Sequence, residues 1–232
     1  MGNILMLRKS MIAIACLLAA GPAAWAADDA PAAPAASADA KPVRVMEQPL
    51  QGDFWTFEVH DEISGKVDAV RTHLVTEVSP TEISIRVSTQ GKDSDGLAVF
   101  DRSWNLKNSG EWKFQPGDGG GIHTPLKIGD SWSFSGDEVN TGKGYIWKRS
   151  GRSKVVGQET ITTKAGTFET YKIETTYLQK PTNDPTRKND ISMVNWYAPS
   201  IDHWVKRTFV SRANGHLKTN NTYEVVEYGR KN

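Results

Sequence analysis

The pattern Gly-Asp-x-Trp-x-Phe occurs twice, as Gly52-Asp53-Phe54-Trp55-Thr56-Phe57 and as Gly129-Asp130-Ser131-Trp132-Ser133-Phe134, 77 residues apart. At the same offset Gly65-Lys66 matches Gly142-Lys143, Val78 matches Val155 and Glu82 matches Glu159, giving eight identities over 31 ungapped positions. Such self-similarity predicts one structural unit laid down twice. Trp and Phe two positions apart share one face of a strand, so the unit is a β-hairpin with an aromatic inner face.

Most of the chain repeats that alternation and is rich in Val, Ile, Thr and aromatic residues, the composition of a half-buried pleated surface. Strands are predicted at 54–60, 67–78, 82–89, 97–105, 111–115, 131–138, 145–156, 160–163, 168–179, 190–197, 203–212 and 217–228. Asn214-Gly215 lies between the last two and fits a type I′ turn, because both residues tolerate positive φ. No window of 11 or more residues after the leader has a helical period. The fold expected is all-β and antiparallel, a strongly curved sheet or partly open barrel built from two pseudo-repeats.

Residues 1–26 read as a signal peptide. Arg8 and Lys9 precede an apolar run from Met11 to Ala20, and Ala24-Trp25-Ala26 supplies a small–x–small cleavage site. The run is too short for a membrane-spanning helix. The one cysteine, Cys16, lies inside this segment, where Ala13-Ile14-Ala15-Cys16 makes a poor lipobox. The location expected is the periplasm, with secretion or a lipid anchor on Cys16 as alternatives. Residues 27–41 are rich in Ala and Pro and lack apolar groups that could offset the entropy of ordering, so they read as a disordered tether. Residues 42–232 remain as a single β domain with halves at 42–116 and 125–232, and no transmembrane span is expected in the mature chain.

Cleavage leaves 26 basic and 27 acidic side chains, which gives no footprint for nucleic acid. The pairs Lys148-Arg149 and Lys206-Arg207 read as solvated strand faces. None of the five histidines belongs to a compact ligand motif, so no metal and no cofactor are expected. Asp93-Ser94-Asp95-Gly96 has Arg102 where a calcium loop needs its bidentate glutamate. The run from Asn140 to Gly144 lacks the spacing of a phosphate loop. Asp202-His203 are strand neighbours and point to opposite faces, and no Gly-x-Ser-x-Gly marks a nucleophile. Glu159 and Glu169, expected to face each other across the Ala165-Gly166 turn, are with Glu174 the only carboxylates considered for glycoside hydrolysis.

Two later stretches carry a resemblance. One runs from Gly157 to Ile173 through Ala165-Gly166-Thr167-Phe168, and the other is Asn195-Trp196-Tyr197-Ala198-Pro199. With Pro125-Leu126 and Gly129-Asp130-Ser131-Trp132 upstream, they resemble the TapB-like group of exported bacterial β-proteins, a domain of unknown function. The resemblance covers about Pro125 to Tyr228. It implies a fold and an exported location, and no established reaction or catalytic residues. After Tyr-Ala-Pro the group continues through a small, glycine-containing link, whereas this chain has the bulkier Ser200-Ile201-Asp202-His203-Trp204.

The function expected is therefore binding rather than catalysis. An aromatic-rich curved sheet would hold a small apolar molecule, a glycan or an envelope protein, with Trp196, Tyr197, His203 and Trp204 at the rim of its pocket. The alternatives are a cell-envelope hydrolase acting on glycan or ester bonds, and an assembly factor that accepts a partner strand at a free sheet edge.

Overall fold

The computed structural model describes residues 45–184 and 186–231. The expected signal peptide and the whole of the expected tether lie outside them. Twelve strands follow one another: β1 (Asp53–Asp61), β2 (Lys66–Val78), β3 (Glu82–Thr89), β4 (Gly96–Asp101), β5 (Leu106–Ser109), β6 (Trp112–Gln115), β7 (Ser131–Asn140), β8 (Ile146–Thr163), β9 (Gly166–Pro181), β10 (Asn189–Ala198), β11 (His203–Ala213) and β12 (His216–Arg230). Each pairs antiparallel with its sequence neighbours, and β1 pairs with β12, so the sheet is a closed up-and-down barrel. Closure leaves the wall without the free edge that strand addition by a partner requires. Pro199–Ile201 forms one 3-10 turn, the only helical element among the described residues.

Most expected strands are present within a residue or two of their bounds. The expected strand 97–105 is broken at Asp101, whose carboxylate accepts the N–H groups of Ser103 and Asn105. Trp104 takes positive φ in the resulting turn and drops its ring into the core. The stretches 145–156 and 160–163 merge into β8, which bulges between Val155 and Gly157. Beyond the bulge the β8–β9 hairpin reaches across the barrel. Phe168 meets Tyr228 of β12 edge-on, and Lys164 at the turn pairs with Glu58 of β1. Asn214 and Gly215 both have positive φ, as the two-residue turn demands.

The motif forms the same local turn in both places. The N–H of Leu50 donates to Asp53, and that of Lys127 to Asp130. Gly52 and Gly129 both have positive φ, and their N–H groups donate to Val75 and Val155 respectively. Val155 therefore occupies the place of Val75, not of Val78 as the ungapped offset had paired it. The second hairpin is three residues longer, and the Val78/Val155 and Glu82/Glu159 identities do not correspond in space.

One end of the barrel is plugged. Met46, Ile122, Leu126 and Ile201 from the connecting segments pack there against Trp55, Phe57, Trp104, Tyr197 and Trp204. The N–H of Met46 donates to the carbonyl of Ser200, tying the first described segment to the 3-10 turn. The hairpin turns β1–β2, β3–β4, β5–β6, β7–β8, β9–β10 and β11–β12 lie at the other end. No helix among the described residues is long and apolar enough to cross a membrane. The outer wall carries charge, as in the row Glu58, Glu224, Lys206 and Lys172, whereas a lipid-facing barrel wall is apolar.

Candidate functional site

Cross-strand partners share a face of the sheet, so the register identifies the lumen. Trp55 pairs with His73 and Phe57 with Arg71. Asn195 pairs with Arg207, and Arg207 with Tyr223. Arg149 pairs with Gln179, and Gly151 with Tyr177. The inward side chains sort into two layers.

The lower layer, above the plug, consists of rings. Trp55 and Trp104 lie 4.4 and 4.8 Å from the His203 ring, Phe57 stacks on Trp204 at 4.0 Å, and His73 is 6.1 Å from His203. Burial, followed by the charges of Arg207 and Arg71, pulls His73 down to about 3. Burial and then His73 and Arg207 hold His203 well below its ordinary value. Both imidazoles are neutral at physiological pH.

The upper layer is charged. The Arg207 guanidinium lies over Trp204 at 4.2 Å and donates to Asn195. Arg149 lies over Tyr177 at 4.4 Å, and its Nη1 is 3.9 Å from Glu138. Asp118 enters from the β6–β7 connection, accepting the N–H groups of Leu106 and Gly120. Gly119 beside it is indispensable, because a Cβ there would strike the Phe134 ring. Burial pushes the Asp118 and Glu138 carboxyls up, against the opposing pull of Arg149. Burial also brings Arg207 down to about 10, which leaves it cationic at neutral pH.

Three arginines thus share the lumen with two carboxyls whose charge burial disfavours. The Nε of Arg71 and of Arg149 and the Nε2 of His203 are buried without a hydrogen-bond partner among the described residues. Arg149 is 6% exposed and His203 5%. A buried donor left unpaired is costly, so such donors mark a place where a polar group is accommodated. Arg71, His73, Val87, Arg207, Phe209, Asn221 and Tyr223 face inward yet keep part of their surface accessible. Eight strands already enclose a space that side chains can fill, and twelve enclose a wider one.

The four residues expected at a pocket rim separate. His203 and Trp204 come together in the ring layer. Tyr197 is buried in the plug, where its hydroxyl donates to Asp202 at 2.6 Å. Burial and then Asp202 push the Tyr197 pKa up, and burial pushes that of Asp202 up. The Trp104 indole leans toward Asp202 without reaching hydrogen-bond geometry. Trp196 is on the outer wall, donating to Glu159 at 2.7 Å between the ammonium groups of Lys172 and Lys206.

Glu159 pairs with Thr170, and Thr160 with Glu169, so the two glutamates lie on opposite faces of their hairpin rather than facing each other. Neither approaches His203. The described residues bring no three potential metal-ligating His, Cys, Asp or Glu side chains together.

The basic pairs expected on solvated strand faces each divide between the two sides of the wall. Lys148 and Lys206 do face out, but Arg149 and Arg207 face in. The signal was in the alternation itself. Arg207 shares the parity of Val205 and Phe209, and Arg71 and His73 that of Val75, so period 2 alone turns them inward. Asp118 has no such signal, because it comes from a loop.

The DUF3108-like family model matches residues 146–208. That segment runs from the start of β8 into β11 and contains both stretches quoted for the sequence resemblance. No curated protein matches. The fold is similar to that of a Parabacteroides distasonis protein described as a candidate lipoprotein, at 13% identity and TM-score 0.53, over 80% of this chain and 99% of that one. It is likewise similar to a candidate exported protein of Bacteroides fragilis with a YmcC-like fold, at 12% identity and TM-score 0.51, over 81% and 100%. The hypothetical lipoprotein YmcC of Escherichia coli aligns at 8% identity and TM-score 0.45, over 80% and 88%. The first two likenesses show a shared fold.

Proposed function

We propose that this chain is an exported, non-enzymatic protein of the bacterial envelope, of the TapB-like kind, whose lumen binds an amphipathic anion. Its ligand carries a carboxylate or phosphate at the arginine layer and an apolar body against the rings. The observation that carries the reading is the surplus of arginine in the lumen, with Arg71 and Arg149 each retaining an unpaired Nε donor. A planar guanidinium is the side chain best shaped to hold such a head group. The leader read at residues 1–26, the motif resemblance, and the exported and lipoprotein descriptions of proteins with this fold support the location.

A dansyl-labelled long-chain fatty acid and its methyl ester separate this reading from a purely apolar pocket. The acid is expected to bind roughly tenfold or more tighter than the ester, the worth of a charge-assisted hydrogen bond. Arg71→Met, at a half-buried position that should tolerate the change, is expected to erase that preference. Equal binding of acid and ester, or binding of neither, overturns the proposal.

A further inference from the structure

The turns at the unplugged end divide into two sectors. In segments 140–146, 180–190 and 212–218, which carry the β7–β8, β9–β10 and β11–β12 turns, six basic residues (Lys143, Lys180, Arg187, Lys188, Arg212 and Lys218) stand against two acids, Asp184 and Asp190. In segments 61–68, 89–97 and 109–113, which carry the other three turns, three basic residues stand against six acids. Strand order makes each sector contiguous around the barrel. The end is a charge dipole.

The basic sector is also built as one surface. The N–H of Thr182 donates to the carbonyl of Ile146, and Arg187 lies 5.7 Å over the Trp147 ring. Lys188 and Asn214 exchange two hydrogen bonds of 2.9 Å, one of them through the Asn214 side chain. On this linked surface Tyr145, Ile146 and Leu217 are 51%, 37% and 44% exposed, although nothing about a turn requires large apolar residues there. Aromatic and aliphatic tips among lysines and arginines are the chemistry of a membrane interface.

We propose that the β7–β8, β9–β10 and β11–β12 turns dock the barrel on an anionic lipid bilayer. The basic groups meet the head groups, and Tyr145, Ile146 and Leu217 enter the interfacial zone. The acidic sector is repelled by the same surface, so the barrel rests tilted on its C-terminal half. This docking adds to the proposed lumenal binding and does not depend on it.

Flotation of the protein with vesicles tests it, comparing phosphatidylglycerol in phosphatidylcholine with phosphatidylcholine alone at physiological salt. Binding to the anionic vesicles is expected to exceed binding to the neutral ones by roughly tenfold, as a few lysines and arginines near a charged leaflet provide. Ile146→Ser with Leu217→Ser, and separately Arg187→Ala with Lys218→Ala, should each lower it several-fold while leaving fatty-acid binding and the melting temperature unchanged. Val67→Ser with Leu97→Ser, exposed apolar positions of the acidic sector, should leave flotation intact. No flotation, equal flotation with both vesicles, or an equal loss in the Val67/Leu97 variant overturns the proposal. Anionic-vesicle flotation by a protein that binds neither the fatty acid nor its ester would overturn the lumenal reading and leave the docking standing.

Discussion

In β1 the Gly-Asp-x-Trp-x-Phe segment buries Trp55 and Phe57 completely and sets Asp53 against Arg230, whereas in β7 Trp132 and Phe134 are half-buried and Asp130 is exposed. The turn, the glycine conformation and the inward parity are the same. The neighbours differ. β1 lies at the seam where the barrel closes on β12, and its rings face His203, Trp204 and the plug. β7 pairs with the four-residue β6, and its rings meet the Gly119 loop and His123, itself exposed. One local code thus sets where a strand starts and which way its rings point, while depth is set by whatever lies opposite.

The largest expected effect breaks this asymmetry at the rings. Phe57→Ala should cost about 3–5 kcal/mol of unfolding free energy in urea denaturation, and Phe134→Ala about half as much. Equal costs would mean that β7 is as deeply packed as β1. At the carboxylates, Asp53→Ala removes the acceptor for both Leu50 N–H and Arg230, and should cost about 2–4 kcal/mol. Asp130→Ala loses one exposed turn bond and should cost about 1 kcal/mol or less.

Acid should weaken the first copy's surroundings selectively. His73 is neutral in the fold down to about 3, while the unfolded chain takes up a proton near the ordinary value of 6.5. Its contribution is present above 6.5 and is lost as pH falls, by about 1.4 kcal/mol per pH unit, with His203 acting in the same direction. Asp118 and Glu138 work the other way, since their raised values favour the fold as they protonate at lower pH. Stability measured from pH 7 to 5 should fall, and His73→Phe should flatten the slope; an unchanged slope would place that imidazole in water. The smallest expected difference lies in the turns. Gly129→Ala has open space and should lose only the positive-φ preference, about 1–2 kcal/mol. Gly52→Ala should lose more, because its Cβ would strike the carbonyl of Lys231 beside the closing strand.

The inward-facing charged layer was less legible than the wall. Period 2 marks nearly every strand, and the same period turns Arg71, Arg149 and Arg207 inward, against the expectation of solvated faces at Arg149 and Arg207. Of the four residues expected at a pocket rim, His203 and Trp204 meet in the ring layer, whereas Trp196 lies on the outer wall against Glu159. The bulge between Trp196 and Tyr197 changes the register there, and no propensity marks it. Asp118 reaches the lumen from a glycine-rich connection that the sequence presents only as a joint between halves.

By itself the sequence determined what short-range physics controls: alternation, the two Gly-Asp turns, the Asn214-Gly215 reversal and the absence of long helices among the described residues. Only the tertiary structure decided that β1 closes on β12, that the β8–β9 hairpin crosses to reach them, and that three arginines converge above a layer of rings. Pleat and turn preference act over a few residues and are written in each segment. Closure and convergence join groups more than a hundred positions apart, such as Glu58 with Lys164 and Asp53 with Arg230, and follow from how many strands curl together and where each bulge falls.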